Sequence, residues 1–377
     1  MLQHSGSASD ASIVAAAASL PLLFSTLIAG TAVDYLGRRR ISIMSDALSA
    51  ATVAAVPIAA SLFGQHRVNV AVLAVLAALG AVFDPAGITA RESMLPEAAG
   101  RAGWTLDRIN GVYEAIFNVA YIVGPGLGGL LIALIGGVNT MWVTAGAFAL
   151  SILAVSVLRL PGAGPPERPE GPWSGMLDGL RFVWNLKVLR TLALIDLAMT
   201  GLYLPLESVL FPKYFTDRDA PSHLGWVLMA LSIGGLVGAL AYPLLVRFMS
   251  RRVTLLSATL TLGACTALIS LLPALPVILL LCGVIGLVYG PIAPIYNYVM
   301  QTKSPPQLRG RVVGVMTSLA YAAGPLGLMV AGPLADTTGL RTTFLVLAIP
   351  MIAIGVVSVV LPSLRELDRT SEIVTGP

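Results

Sequence analysis

Apolar positions in this chain neither alternate nor fall on a single stripe; they continue for long runs cut by short charged segments. A helix needs roughly 20 apolar residues to cross the hydrocarbon core. Eleven runs of that kind are found, near 11 to 35, 41 to 63, 69 to 89, 109 to 135, 139 to 160, 190 to 212, 224 to 247, 253 to 272, 275 to 299, 312 to 335 and 342 to 362. The sharpest break is Gly30 to Arg40, where an apolar run meets Asp34, then Gly37, then Arg38, Arg39 and Arg40. Gly37 suits the end of a helix. The stretch Ile13 to Ile28 carries no charge and the apolar pattern resumes at Ile41, so the chain turns at the membrane surface and re-enters.

Short loops rich in Lys and Arg stay on the cytoplasmic side. With the Arg38 loop placed inside, nineteen Lys and Arg fall on that side and four (Arg67, Lys213, Arg218 and Arg341) on the other, which predicts an external amino terminus and a cytoplasmic carboxyl terminus. An internal repeat accompanies the spans. Gly80-Ala81-Val82-Phe83-Asp84-Pro85-Ala86 returns as Gly286-Leu287-Val288-Tyr289-Gly290-Pro291-Ile292, and Tyr121-Ile122-Val123-Gly124-Pro125 returns as Tyr321-Ala322-Ala323-Gly324-Pro325. Between the copies, Pro161 to Pro169 is too rich in proline for a helix, and Trp173 to Arg190 reads as a surface helix. The expected organisation is a helix bundle over 1–160, a cytoplasmic linker over 161–189 and a second bundle over 190–377.

Composition agrees with the pattern. At 56% hydrophobic, 11% charged and mean hydropathy +0.85, the chain has too little polar surface for a soluble globule of 377 residues. Its net charge of +4 comes from bases scattered in loops, which form no continuous face for nucleic acid. Cys265 and Cys282 lie inside apolar runs, against a disulfide framework. His4, His66 and His223 are too dispersed for a metal site. No phosphate-cradling loop and no nucleophile with a partnering base is found, so no catalysis, cofactor or ATP hydrolysis is expected. The opening residues lack the basic and apolar regions of a cleavable leader.

Polar residues inside the spans are the candidate chemistry. Glu114, Asn118 and Tyr121 stand at i, i+4 and i+7, and Asp196, Thr200, Tyr203 and Glu207 at i, i+4, i+7 and i+11, so each set shares a helix face. The span 275 to 299 adds Tyr289, Tyr296 and Asn297. A charge at the bilayer centre costs roughly 2.5 to 3.5 kcal/mol on insertion scales. These carboxyls should therefore face an aqueous cavity, where they can take a proton on one side and release it on the other; a structural hydrogen bond or ion pair is the alternative. Asp46 reads as an ion-pair partner for nearby arginines. Gly124-Pro125-Gly126-Leu127-Gly128-Gly129 fits the dinucleotide pattern G-x-G-x-x-G, but it lies in an apolar span with no preceding strand, and the nucleotide reading is discarded.

Spaced as Gly-x3-Asp-x2-Gly-Arg-Arg, residues 30–39 resemble the loop between the second and third helices of major facilitator transporters. The run Gly111-x8-Ala120-x3-Gly124-Pro125 resembles the glycine-proline signature of exporters in that family, with Ala120 where a glycine usually stands. The stretch 76–136, with Asp84-Pro85-Ala86 and Met94-Leu95-Pro96-Glu97, is similar to the drug:proton antiporter group that includes macrolide and siderophore exporters. Strings such as Gly103-Trp104-Thr105-Leu106-Asp107-Arg108-Ile109-Asn110 and Glu207-Ser208-Val209-Leu210-Phe211-Pro212 carry the likeness over nearly the whole chain.

The resemblance implies an all-α polytopic protein of the cytoplasmic (inner) membrane, with two pseudo-symmetric helix bundles. It implies a conformational latch of Gly30, Asp34, Gly37, Arg38, Arg39, Asp84 and Arg311, and a hinge at Gly111, Gly124, Pro125, Gly128 and Gly129. Simple topogenic charge and plain helix packing are the respective alternatives. The equivalent loop of the second half, Gly238 to Arg252, has no acid, so a one-sided latch is expected. Counted against the family's twelve helices, the first is expected to be missing. The implied activity is proton-driven export of small drugs such as tetracycline and aminoglycosides by a monomer working through alternating access. A non-transporting truncated remnant and a proton-coupled metabolite importer of the same fold are the alternatives.

Overall fold

The computed structural model describes residues 32–33, 36–63, 70–158, 172–220 and 223–368, and every regular element among them is helical. The helices are α1 (Arg38–Phe63), α2 (Val70–Ala102), α3 (Leu106–Ile135), α4 (Gly137–Val157), α5 (Pro172–Asn185), α6 (Lys187–Pro205), α7 (Phe211–Thr216), α8 (His223–Phe248), α9 (Arg251–Ile269), α10 (Leu275–Tyr289), α11 (Ile292–Lys303), α12 (Arg309–Thr338) and α13 (Leu340–Val360). A π-helical turn, Leu206–Leu210, joins α6 to α7, and α10 continues into α11 after Gly290 and Pro291.

Among the described residues eight helical segments are long and apolar enough to cross a membrane, or nine when α3, bent by 40° at residue 125, counts as one span. Eleven were expected. Most of the 11 to 35 stretch, including Gly30 and Asp34, lies outside the described residues, and 69 to 89 forms the first part of the 33-residue α2.

Local chemistry sets several boundaries. Thr105 caps α3, its hydroxyl accepting from the Arg108 amide at 3.2 Å, with Asp107 in the positive first turn. Ser250 caps α9 in the same way at 3.2 Å to the Val253 amide. Two joints use a single glycine: Gly136 (φ 80°, ψ 157°) between α3 and α4, and Gly339 (φ 82°, ψ 163°) between α12 and α13. Only glycine settles in that region without strain. The repeat read from the sequence thus extends to two equivalent hairpins.

In the first half α1 packs on α2 and α4; in the second, α10 on α8, α12 on α6 and α13 on α9. The α8/α10 pair approaches backbone to backbone: a methyl on Gly286 would overlap the Leu231 carbonyl, and one on Gly290 the Gly235 carbonyl. Small residues permit such contacts, on which membrane helices depend because lipid supplies no hydrophobic drive between them. Contacts between the halves run α3 to α8, α3 to α11 and α2 to α12.

Candidate functional site

A cavity of about 670 Å³ lies between the halves, walled by α3, α6 with its π-turn, α8 and α10. Glu114, Asn118 and Tyr121 form its α3 wall, Tyr203 and Glu207 face it from the α6 side, and Tyr289 closes it from α10. Asn118 donates from Nδ2 to the Glu114 carbonyl (2.9 Å) and to Glu114 Oε1 (3.2 Å). The Asn118 amide sits where a methyl on Gly235 would be, so the glycine admits it. Tyr203 and Tyr289 stack, ring centroids 5.7 Å apart and planes 14° from parallel. Trp226, 57% exposed, is a further aromatic wall.

Glu207 owes its position to the π-turn. One extra residue in the turn after Pro205 changes which way the next side chains point, and π-turns of this kind recur at functional sites. Residues of the same expected set diverge here: Asp196, Thr200 and Asn297 do not line the large cavity. Asp196 lines a separate pocket of about 20 Å³, and Asn297 is buried.

The cavity uses the first part of α8 and the far end of α6, whereas the other end of the molecule is shut by polar contacts. Arg38 donates to Glu97 Oε1 (2.6 Å), to the Ser93 carbonyl (2.9 Å) and, across the halves, to the Pro306 carbonyl (2.8 Å). Arg309 reaches the same Glu97 oxygen at 3.5 Å. Asp107 accepts two hydrogen bonds from Arg251 (2.7 and 2.9 Å) and one from the Tyr242 hydroxyl (2.7 Å), while the Arg251 guanidinium lies 3.7 Å over the Tyr298 ring. Between these clusters Asn110 and Gln301, both buried, exchange amide hydrogen bonds of 2.9 and 3.0 Å.

Several expected latch residues stand elsewhere. Asp84 accepts from Ser49 at 2.8 Å, because it precedes Glu97 by thirteen residues, about 20 Å along a helix. The α2 carboxylate at the closed end is Glu97. Arg39 donates to the Val155 (3.2 Å) and Ser156 carbonyls at the end of α4, as a cation does at a helix carboxyl terminus. Arg311 pairs at 3.6 Å with Asp178 on the linker helix α5, and its neighbour Arg309 meets Glu97. Asp46 pairs with Arg91 (2.9 Å) and accepts from Ser151 (2.6 Å). Gly37, at φ +90°, breaks the helix ahead of α1. The second-half loop, expected to lack an acid partner, takes one from the opposite half: Asp107 supplies the carboxylate for Arg251.

Of the expected hinge residues, Gly124 and Gly128 have open space on their Cβ side among the described residues, and Pro125 and Gly129 lie within α3 at and beyond its bend. Gly111 is different. A methyl there would stand 2.7 Å from the Ala239 carbonyl, at the α3/α8 contact beside the Asp107 cluster. Gly111→Ala is therefore expected to cost the closed arrangement about 1 to 2 kcal/mol by overpacking. The check is cysteine accessibility at the Arg38 end, which should rise by about tenfold.

Comparison with known proteins places this geometry. The model of the Major Facilitator Superfamily matches residues 1–328. The chain is 69% identical over 375 residues to the multidrug efflux pump Tap of Mycolicibacterium fortuitum, covering 99% of this chain and 92% of that protein. It is 65% identical over 371 residues to Tap of Mycobacterium tuberculosis strain H37Rv (98% and 88%), and 23% identical over 384 residues to macrolide efflux protein A of Streptococcus pyogenes (98% and 91%). Among solved structures, the human organic anion transporter MFSD10 superposes with a TM-score of 0.76 at 18% identity, covering 92% of this chain and 83% of its own, a likeness of fold. Matched by the family model over most of its length and by close relatives over nearly all of it, the chain belongs to the Major Facilitator Superfamily, in the branch that holds the Tap multidrug efflux pumps.

Proposed function

We propose that this protein exports small amphiphilic or cationic drugs across the cytoplasmic membrane in exchange for protons, the two bundles (1–160 and 190–377, joined by the linker 161–189) rocking about the cavity as a monomer. One observation carries the reading: a cavity of about 670 Å³, within the range of drug-sized sites, lies between the halves with two carboxyls in its wall and is closed at one end by ion pairs that can open. The arginine-rich end is taken as cytoplasmic, which makes the present arrangement the outward-facing one. Inward opening would then require Glu97, Asp107 and Asn110 to leave their partners on the opposite half.

Aromatic walls suit flat, delocalised cations, which bind ring faces and carboxylates together. The names of the relatives carry drug efflux in general; tetracycline- and aminoglycoside-like compounds are the cargo proposed for a cavity of this size. The test uses everted vesicles energised by respiration and loaded with ethidium or tetracycline. An exporter fills the lumen and an uncoupler stops it. Depletion from the lumen would instead favour a proton-coupled importer, and no energy-dependent movement of either compound would favour a remnant without transport.

A further inference from the structure

Asp196 is the one carboxyl of the α6 set that has a pocket of its own. The space beside it lies inside the second half, between α6, α9, α10 and α11, and measures about 20 Å³ against about 670 Å³ for the cavity between the halves. A water needs about 10 to 15 Å³ on the same measure, and a drug-sized ligand several hundred. The pocket therefore has room for one water and none for a drug.

Its donors are few. The Thr259 hydroxyl is committed to the Leu255 carbonyl (2.7 Å), and the Tyr296 hydroxyl to the Leu192 carbonyl (3.2 Å). No hydrogen bond or ion pair to Asp196 is found among the described residues, and of the hydroxyl-bearing residues lining its pocket Tyr289 is the one whose hydroxyl is not committed to a carbonyl. Tyr289 and Tyr296 are the titratable groups facing it; α9 contributes Leu255, Ala258, Thr259 and Leu262, and no residue of α5, α12 or α13 lines the space. One carboxylate is too poor a ligand set for a metal cation, which takes several oxygens. Tyr289 also lines the large cavity, where its ring stacks on Tyr203. Among the described residues it is the only one common to the two linings.

We infer that Asp196 and its pocket form a proton-binding site separate from the drug cavity, reached from it through the Tyr289 hydroxyl. The proton moves as in any hydrogen-bonded chain: Tyr289 gives its hydroxyl proton to the Asp196 side and takes another from cavity water, so no charge remains on the ring. In this arrangement drug meets Glu114 and Glu207, and Asp196 senses the drug only through the Tyr289–Tyr203 wall. The inference builds on the export reading for its drug-binding arm alone.

The test compares wild type, Asp196→Asn and Tyr289→Phe, each full length in proteoliposomes, with ethidium as the probe because its charge does not change with pH. Asp196→Asn should bind ethidium with a Kd within about twofold of wild type at every pH, yet lose efflux driven by a pH gradient by at least tenfold. Infrared difference spectra after a pH jump should show in wild type a protonated-carboxyl component that Asp196→Asn lacks, beside those of Glu114 and Glu207, which both proteins keep. In Tyr289→Phe that component should form at least about tenfold more slowly. A tenfold weaker ethidium Kd in Asp196→Asn would merge the two compartments and overturn the inference, as would an unchanged carboxyl band. Should wild type neither bind nor move ethidium, the export reading would lose its support, while the infrared comparison would still decide whether Asp196 takes a proton. If Asp196→Asn fails to fold, Tyr289→Phe decides by the rate of the band: unchanged kinetics overturn the route.

Discussion

Replacing Asp107 with alanine is expected to open the arginine-rich end of the molecule and cut transport by at least tenfold. Its carboxylate holds three hydrogen bonds across the halves, two from Arg251 and one from Tyr242. The side chains of Asp107 and Arg251 are 17% and 16% exposed, so both charges are largely out of water. Removing one partner of a buried pair costs about 3 to 5 kcal/mol, and the residual exposure places this pair near the lower figure. A penalty of about 3 kcal/mol that falls on the closed form alone shifts its equilibrium by about a hundredfold. Asn110–Gln301 and Glu97–Arg309 still hold, so the end should fluctuate rather than stay open.

Spin labels on Arg101 and Arg247, both exposed at that end, would report the change as a second, longer distance population. Cys265 and Cys282 are buried and free, and would be replaced by alanine for the measurement. Asp107→Asn should give an intermediate result, because an amide oxygen can still accept from Tyr242. A distance distribution unchanged in Asp107→Ala would show that this cluster does not hold the halves together.

This cluster also shows where reading the chain alone reaches its limit. The absence of an acid in the second-half loop was legible, and the inference of a one-sided latch followed. Its replacement was not, because Asp107 precedes Arg251 by 144 residues and no local pattern links a helix cap in one half to a loop in the other. The cue that did exist was local: Asp107 follows a capping threonine, and a carboxylate at that helix start invited a partner.

Asp84 and Glu97 give the opposite case. Both lie on α2, and the rise per residue alone puts them about 20 Å apart, so only one could reach the membrane surface where Arg38 stands. Helix periodicity carried further within a span. Glu114, Asn118 and Tyr121 share a wall because 3.6 residues per turn places i, i+4 and i+7 together. The same rule applied across Asp196 to Glu207 runs into the π-turn, whose extra residue no apolar pattern encodes. Of the set only Glu207 lies in that turn; Asp196, Thr200 and Tyr203 precede it on regular helix, where Tyr203 reaches the large cavity and Thr200 and Asp196, about 4 to 5 Å and 10 Å further back along the axis, do not.

Glu114→Gln should leave the protein folded and abolish proton-coupled efflux of a cationic drug. Glutamine keeps the shape and the hydrogen bond with Asn118, whose amide group can turn to suit it. What disappears is the charge. In the wild type a proton and a drug cation compete for the same carboxylate, so acidification should weaken ethidium binding, by up to tenfold per pH unit where the carboxyl is mostly protonated. In the variant the share of this dependence that Glu114 supplies should be lost, leaving a weaker Kd at alkaline pH and the shallower pH slope of Glu207 alone. A unit charge about 4 Å away at an effective dielectric near 20 is worth about 4 kcal/mol, of which desolvation returns a part. The expected loss at alkaline pH is therefore about tenfold to a hundredfold in Kd. Glu207 faces the same cavity and can hold a cation in its place, so the variant still binds, but drug and proton no longer displace each other at Glu114, and a proton taken up at Asp196 is then not coupled to release of the drug. Ethidium fluorescence titrated across pH, beside efflux in energised vesicles, separates the two effects. A Glu114→Gln protein whose ethidium Kd still tracks pH as the wild type does, and which still pumps, would transfer the exchange to another carboxyl and remove Glu114 from the mechanism.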